Sequence, residues 1–263
     1  MTTAPLKIGV GGALGRMGRA VTTLTRARAG VVVAGRFDRP DAADEAGDTP
    51  ALTTLGQVLA VSDVIVDFST GAATAVLAGA AAARGGPALV IGATGLGAGD
   101  ERTIAEAAGA IPIVKSGNYS VGVNVLAGLV EQAARRLPPE VWDIEVLEVH
   151  HRRKVDAPSG TALLLARAAA RGRGRDLGEI ALAPREGITG PRPEGVVGFA
   201  SLRGGGVVGD HSVIFAAEEE TLTLSHSARD RALFARGALE AALWVTGKPP
   251  GLYDMVDVLG FRD

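Results

Sequence analysis

The stretch Leu6-Lys7-Ile8-Gly9-Val10-Gly11-Gly12-Ala13-Leu14-Gly15-Arg16-Met17-Gly18 decides the fold. It begins as a short apolar run of strand type, and a helical pattern follows from Arg19 to about Ala29. Glycines at 12, 15 and 18, set between a strand and a helix, point to dinucleotide binding. Such glycines close the turn, let backbone approach a pyrophosphate and let helix pack on strand. Gly12-Ala13-Leu14 replaces the usual Gly-x-Gly, so the fingerprint is imperfect. A second strand, Val31 to Phe37, strengthens it by ending in Asp38-Arg39, about 20 residues past the glycines, where the adenosine ribose is met. Asp38 suits the free 2′-hydroxyl of NAD, and Arg39 the 2′-phosphate of NADP, so NADH and NADPH both stay open.

Outward from there, strands are expected over Val61–Phe68, Pro87–Ile91 and Ile111–Val114, with helices over Ala72–Arg84 and Asp100–Ala108. This alternation predicts an α/β fold with an N-terminal Rossmann-type, doubly wound parallel sheet. Ligands of such sheets bind beyond the carboxyl ends of the strands. Gly92-Ala93-Thr94 and Ser116-Gly117-Asn118-Tyr119 are therefore expected on the nicotinamide side. After Ser120 the pattern changes. One long helix, Val121–Leu137, precedes strand-like stretches at Trp142–Val149, Val196–Arg203, Val207–Ala216 and Glu220–His226. Consecutive strands with little helix between them predict a second, α+β domain on a mixed or antiparallel sheet. A last helix is expected over Arg229–Thr246, and Arg171–Arg175 reads as an exposed helix end and loop.

Composition narrows the function classes. The chain has 263 residues, 47% hydrophobic and 21% charged, as in a globular protein with a sizeable core. A net charge of −2 gives no electrostatic case for nucleic acid or an anionic membrane as main partner. The absence of cysteine excludes disulfides, thiolate catalysis and cysteine-ligated metals. No metal is expected from four scattered histidines. Met1–Lys7 lacks a secretory pattern and no run of about 18 apolar residues exists, so a cytoplasmic protein is expected.

The candidate chemistry lies in Glu148-Val-His150-His151-Arg-Arg-Lys154-Val-Asp156-Ala-Pro158-Ser159-Gly160-Thr161-Ala162. It holds two of the four histidines and one of the four lysines. Proline followed by serine announces a helix N-terminus, whose first N–H groups lack helical partners and attract anions. His-His-Arg-Arg-Lys alone reads more simply as a solvated basic loop. Its coupling to Pro-Ser-Gly-Thr, and the dinucleotide turn upstream, favour a polar catalytic pocket. Glu148 and Asp156 are expected to orient rather than to carry protons, and His211 and His226, in later strands, to be structural or related to assembly.

These residues resemble the bacterial dihydrodipicolinate (4-hydroxy-tetrahydrodipicolinate) reductases of the diaminopimelate and lysine pathway. The likeness runs nearly end to end, through Gly15-Arg-Met-Gly18, Gly92-Ala-Thr-Gly95, Asn118–Asn124, Glu148–Ala162, Gly209-Asp-His211 and Gly251-Leu-Tyr-Asp-Met255. The resemblance implies that Gly12, Ala13, Leu14, Gly15, Arg16 and Met17 carry the cofactor pyrophosphate. It makes His150 the acid/base residue and Lys154 a second proton donor, with His151, Ser159, Gly160 and Thr161 binding a small dicarboxylate substrate. It also implies a homotetramer, a dinucleotide-binding domain of residues 1–120 plus 229–263, and a substrate-binding and oligomerisation domain of residues 121–228. Ala93 stands where the family commonly has threonine, and Ser116-Gly117 where it has Ala-Pro. Both are backbone-contact positions, so altered affinity is expected rather than lost activity. Another two-domain dehydrogenase would not need the dicarboxylate cradle, and a silent nucleotide sensor would show a degraded His/Lys site.

Overall fold

The computed structural model describes residues 4–39, 50–182 and 185–261; residues 1–3, where the reading of the N-terminus begins, lie outside them. The chain divides into two compact units, Met1–Val121 with Ala232–Asp263, and Gly122–Arg231.

The first unit is a six-stranded sheet built from β1 (Leu6–Gly11), β2 (Val31–Phe37), β3 (Val64–Asp67), β4 (Ala88–Ile91), β5 (Pro112–Lys115) and β11 (Gly251–Tyr253), in the order β11-β5-β4-β3-β1-β2. Every pairing is parallel. β3 and β4 are buried at every position because helices cover both faces. Val64, Val66 and Val90 pack with α8 (Ala232–Val245), whereas Ile65, Leu89 and Ile91 pack with α3 (Gly71–Ala82) and α4 (Ala98–Ala107). Strand order reverses between β1 and β3, so the crevice at their carboxyl ends begins at Gly12 and Phe68. α1 (Arg16–Ala27) starts there.

Two elements depart from expectation. The strand expected over Val61–Phe68 is present but begins only at Val64, and Val61 instead ends a short helix, α2 (Leu55–Val61). Thr54 and Gln57 close a capping box, Thr54 Oγ1 accepting from Gln57 N at 3.3 Å and Gln57 Oε1 from Thr54 N at 3.0 Å. A short apolar run does not reveal its period, and the cap decides it. Gly251–Tyr253, beyond the last expected helix and not read as a strand, adds the sixth strand beside β5.

The second unit is a mixed five-stranded sheet of β6 (Asp143–His150), β7 (Ala181–Leu182), β8 (Val197–Arg203), β9 (Gly209–Ala216) and β10 (Thr221–Ala228), ordered β10-β9-β6-β8-β7. β6 runs antiparallel to β9 and parallel to β8. Strand alternation turns Ile144, Val146, Val213 and Phe215 toward α5 (Val121–Arg136) and α6 (Gly160–Gly172), whose Leu126, Val130, Leu165 and Ala169 complete the core. Residues 171–175 are the helix end and loop expected, with Arg171, Gly174 and Arg175 exposed, but one side chain turns inward. Arg173 is half-buried, donates to the Trp142 carbonyl, and has its guanidinium pKa lowered by burial. Among the described residues, no helix is long and apolar enough to cross a membrane.

Candidate active site

The buried face of the second sheet turns polar at the end of β6. The alternation that buries Ile144 and Val146 also buries Glu148 and His150, and the β6–β9 register sets His211 opposite Glu148. Glu148 is 0% exposed, yet three groups make four hydrogen bonds to its carboxylate. His150 Nδ1 lies 2.5 Å from Oε2, Arg203 donates at 2.8 and 2.7 Å to Oε2 and Oε1, and Ser159 N donates to Oε1 at 3.2 Å. Burial pushes this carboxyl up, but the hydrogen bonds from Arg203 and His150 outweigh it and hold the pKa at about 2. An ionised carboxylate only accepts, so Nδ1 of His150 carries a hydrogen and Nε2 is left to exchange protons.

Ser159 caps α6, accepting from Ala162 N at 3.1 Å, and its hydroxyl lies 2.9 Å from His211 Nε2. His211 stands edge-on to His150, with ring centroids 5.0 Å apart. Desolvation first, then the neighbouring His150, lowers the His211 pKa to about 4. This imidazole, expected to be structural, therefore belongs to the polar cluster. Strand register alone brings it there, and nothing local in Gly209-Asp210-His211 announces it.

Acid should weaken this unit in two steps. His211 titrates at about 4 folded against 6.5 ordinarily, so protons bind the unfolded chain first, and its contribution, complete above pH 6.5, declines toward pH 4. Glu148 lies at about 2 against 4.5, so its contribution holds above pH 4.5 and is lost as pH falls toward 2. Melting temperature measured against pH should fall across both windows. His211→Gln should flatten the upper one and Glu148→Gln the lower.

The turn after β6 is tied to the 204–207 loop by His151 N to Val207 O at 2.8 Å and Gly204 N to His150 O at 2.9 Å. Lys154 Nζ donates to both Asp156 oxygens at 2.8 Å. His151 Nε2 lies 3.3 Å from Arg231 Nη2, and a guanidinium only donates, so this nitrogen accepts. Desolvation and the charges of Arg153 and Arg231 lower the His151 pKa, which leaves a neutral ring with Arg231 beside it as a cation. Sequence reading passed over Arg231 as part of the last helix. Gly160 and Thr161 open α6, and a Cβ built at Gly160 meets nothing within 4 Å.

The first unit holds the other predicted residues. Gly12 adopts φ +65, and a Cβ on Gly18 would lie 2.2 Å from Gly12 O, so helix and turn touch backbone to backbone. Gly15 is the N-cap of α1 and provides no side-chain acceptor, and the first turn carries no acid. Arg16 and Met17 begin that turn, with Ala13 buried behind it. Asp38 accepts from Leu14 N at 2.8 Å and from Arg39 N at 2.9 Å, which places the β2 acid against the glycine turn. An uncapped helix start with an acid beside it fits a dinucleotide's pyrophosphate and ribose. Gly92 leaves room for Phe68, whose ring would be 2.1 Å from a Cβ there; Ala93 is buried and Thr94 exposed. Ser116 Oγ donates to Asn118 O at 2.8 Å, and Asn118 Oδ1 accepts from Ser120 N at 2.8 Å, ordering the turn that includes Gly117. Tyr119 is 2% exposed, its hydroxyl on the carbonyls of Ile91 and Val114, so its side chain braces the strand ends and only its backbone is left for a ligand. A cavity of about 430 Å³ lies at the opposite, N-terminal ends of β3, β4 and β5, lined by Ser62, Asp63, Arg84 and Pro112 among others, and contains none of the predicted residues.

Known proteins agree with this assembly of parts. The family profile described as dihydrodipicolinate reductase, N-terminus, matches residues 6–119, and that described as dihydrodipicolinate reductase, C-terminus, matches residues 122–259. The 4-hydroxy-tetrahydrodipicolinate reductase of Caulobacter vibrioides is 57% identical over 98% of both chains. That of Rhizobium rhizogenes is 53% identical over 99% of this chain and 98% of its own. Among solved structures, a dipicolinate-bound dihydrodipicolinate reductase from a Paenisporosarcina species superposes with a TM-score of 0.79 at 22% identity, covering 96% of this chain and 98% of that one, a likeness of fold. With both profiles spanning nearly the whole chain, and relatives this similar from end to end, the chain belongs to the dihydrodipicolinate reductase family.

Proposed function

We propose that this protein catalyses the NADPH- or NADH-dependent reduction of 4-hydroxy-tetrahydrodipicolinate to tetrahydrodipicolinate in diaminopimelate and lysine biosynthesis. The observation that carries the reading is the His150 imidazole, oriented by a buried, ionised Glu148 that also grips the first residue of the Ser159 cap. A reduced nicotinamide supplies a hydride. The reaction as a whole takes up that hydride and one proton and releases one water. His150 would deliver the proton through Nε2 to the reduced ring, with Lys154 as a second donor. Two substrate carboxylates need cations and N–H groups, which Lys154, Arg231, His151 and the amides of Ser159–Thr161 offer. Binding would draw Lys154 from Asp156 toward the substrate. In the first unit the 12–17 turn would hold the pyrophosphate, Asp38 and Arg39 the ribose end, and residues 92–94 and 116–119 the nicotinamide side.

The preceding synthase, given pyruvate and aspartate semialdehyde, generates the substrate, and loss of reduced-nicotinamide absorbance follows the reaction. Wild-type protein should oxidise NADPH or NADH only when the substrate is formed. Lys154→Ala should raise KM about tenfold or more and lower kcat, with cofactor affinity unchanged. A wild type that binds the cofactor and oxidises none would overturn the reading. Arg39→Ala should weaken NADPH about tenfold and leave NADH unaffected, because only the 2′-phosphate needs the guanidinium; paired cofactor titrations measure this.

A homotetramer is part of the same proposal. The sheet face turned away from α5 and α6 carries Leu147, Val149, Ile214 and Leu202, the last 53% exposed, which supports assembly through that face. Light scattering on the eluting protein would read the state.

A further inference from the structure

Arg203 stands outside the candidate motif, at the end of β8, yet it bonds to two parts of it, the Glu148 carboxylate and the Asp156 carbonyl. The β6–β8 register sets it beside His150 on the buried face. Its Nη1 donates to Glu148 Oε2 at 2.8 Å, and its Nη2 both to Glu148 Oε1 at 2.7 Å and to the backbone carbonyl of Asp156 at 2.7 Å. The Glu148 oxygens in turn hold His150 Nδ1 and Ser159 N. We propose that Arg203 is a positioning residue of the reductase, joining the proton-donating imidazole and the substrate-binding turn 156–161 into one unit through Glu148. The proposal deepens the reductase reading and rests on it.

Two consequences of the geometry separate this from simple scaffolding. One is charge. A desolvated carboxylate whose main partner was His150 would favour the imidazolium strongly and so make it a reluctant acid. The Arg203 cation balances Glu148, so the imidazole is oriented without being over-stabilised in its charged form. His211 on β9 stands edge-on to His150 and His151 follows it in the chain, while the carboxylate of the following turn, Asp156, is itself paired with Lys154. The second consequence is reach. The guanidinium fork spans both Glu148 oxygens and the Asp156 carbonyl, so movement of the substrate turn is coupled to the imidazole. A lysine would supply the charge but not the span.

The experiment uses the full chain with Arg203→Gln and Arg203→Lys. In each, the ¹⁵N resonances of His150 are titrated by NMR without substrate, and kcat and KM are measured against pH. Wild-type His150 should show the Nδ1–H neutral tautomer. In Arg203→Gln the imidazole midpoint, and the high-pH limb along which kcat falls, should both move up by about one pH unit. KM for the substrate should rise about tenfold. Arg203→Lys should restore the midpoint but leave KM raised, because one ammonium cannot hold Glu148 and the Asp156 carbonyl together. A lowered melting temperature with midpoint and KM both unchanged would overturn the proposal, leaving Arg203 a purely structural residue. If Arg203→Gln does not fold, an unchanged KM in Arg203→Lys overturns it equally. The NMR titration stands without turnover, so an inactive wild type would refute the reductase reading while the tautomer and midpoint still decide the Arg203–Glu148–His150 linkage.

Discussion

Gly237→Ala is expected to cost about 3 kcal/mol and to lower the melting temperature by roughly 10 °C. Gly237 lies in α8, where that helix crosses the end of the β5 turn. A Cβ built on it would sit 1.6 Å from Tyr119 O and 2.8 Å from the Tyr119 carbonyl carbon. The obstacle is backbone, and it is braced, because the Tyr119 hydroxyl is bound to the Ile91 and Val114 carbonyls. Relief would require the whole helix to withdraw. Ala235, Ala238, Ala241 and Ala242, all 0% exposed, would then lose their packing against the sheet. The gain in helix propensity from glycine to alanine is only about 1 kcal/mol, so the clash wins. Gly79→Ala is the control. It also replaces a helical glycine, but its Cβ would meet nothing within 4 Å, and it should stabilise by roughly 0.5–1 kcal/mol. Thermal unfolding of the two variants should give shifts of opposite sign, and equal shifts would refute the packing argument.

His150→Gln is expected to lower kcat by about 10²–10⁴-fold, with NADPH affinity unchanged. Glutamine keeps polarity and can still hydrogen-bond to Glu148, but it has no group that exchanges a proton near neutrality. The loss should lie in kcat rather than KM, because the cations and amides that would bind the two carboxylates remain. The residual rate should also lose the pH limb that the imidazole imposes. Steady-state kinetics over a range of pH, beside a cofactor titration, tests both. A variant that retained wild-type kcat and pH profile would remove His150 from the reaction.

The first unit was legible because its information is local. The positive φ of Gly12 and the close approach of Gly15 and Gly18 to the Gly12 carbonyl are set within the turn itself, and alternation of short apolar runs with alanine-rich helices announces a parallel sheet covered on both faces. The reach of that reading ended where periodicity is too short to measure, as at Leu55–Val61, where a side-chain cap rather than an apolar pattern selects the helix. Gly251–Tyr253 has no strand signal of its own and becomes one because β5 presents an unpaired edge.

The candidate catalytic motif shows the same division. Sequence alone supplied Glu148, His150, Lys154 and the Pro-Ser-Gly-Thr helix start, since they are contiguous and their chemistry can be read from residue type. It also assigned Glu148 an orienting role. Tertiary structure decided that Arg203 and His211, 55 and 52 residues from their partners Glu148 and Ser159, complete the cluster. It also decided that Tyr119 spends its side chain on strand ends. The physical reason is strand register. A residue's face follows from the alternation of its own strand, but which residue lies opposite depends on pairing energies summed along both strands, and no short stretch of this sequence contains that sum.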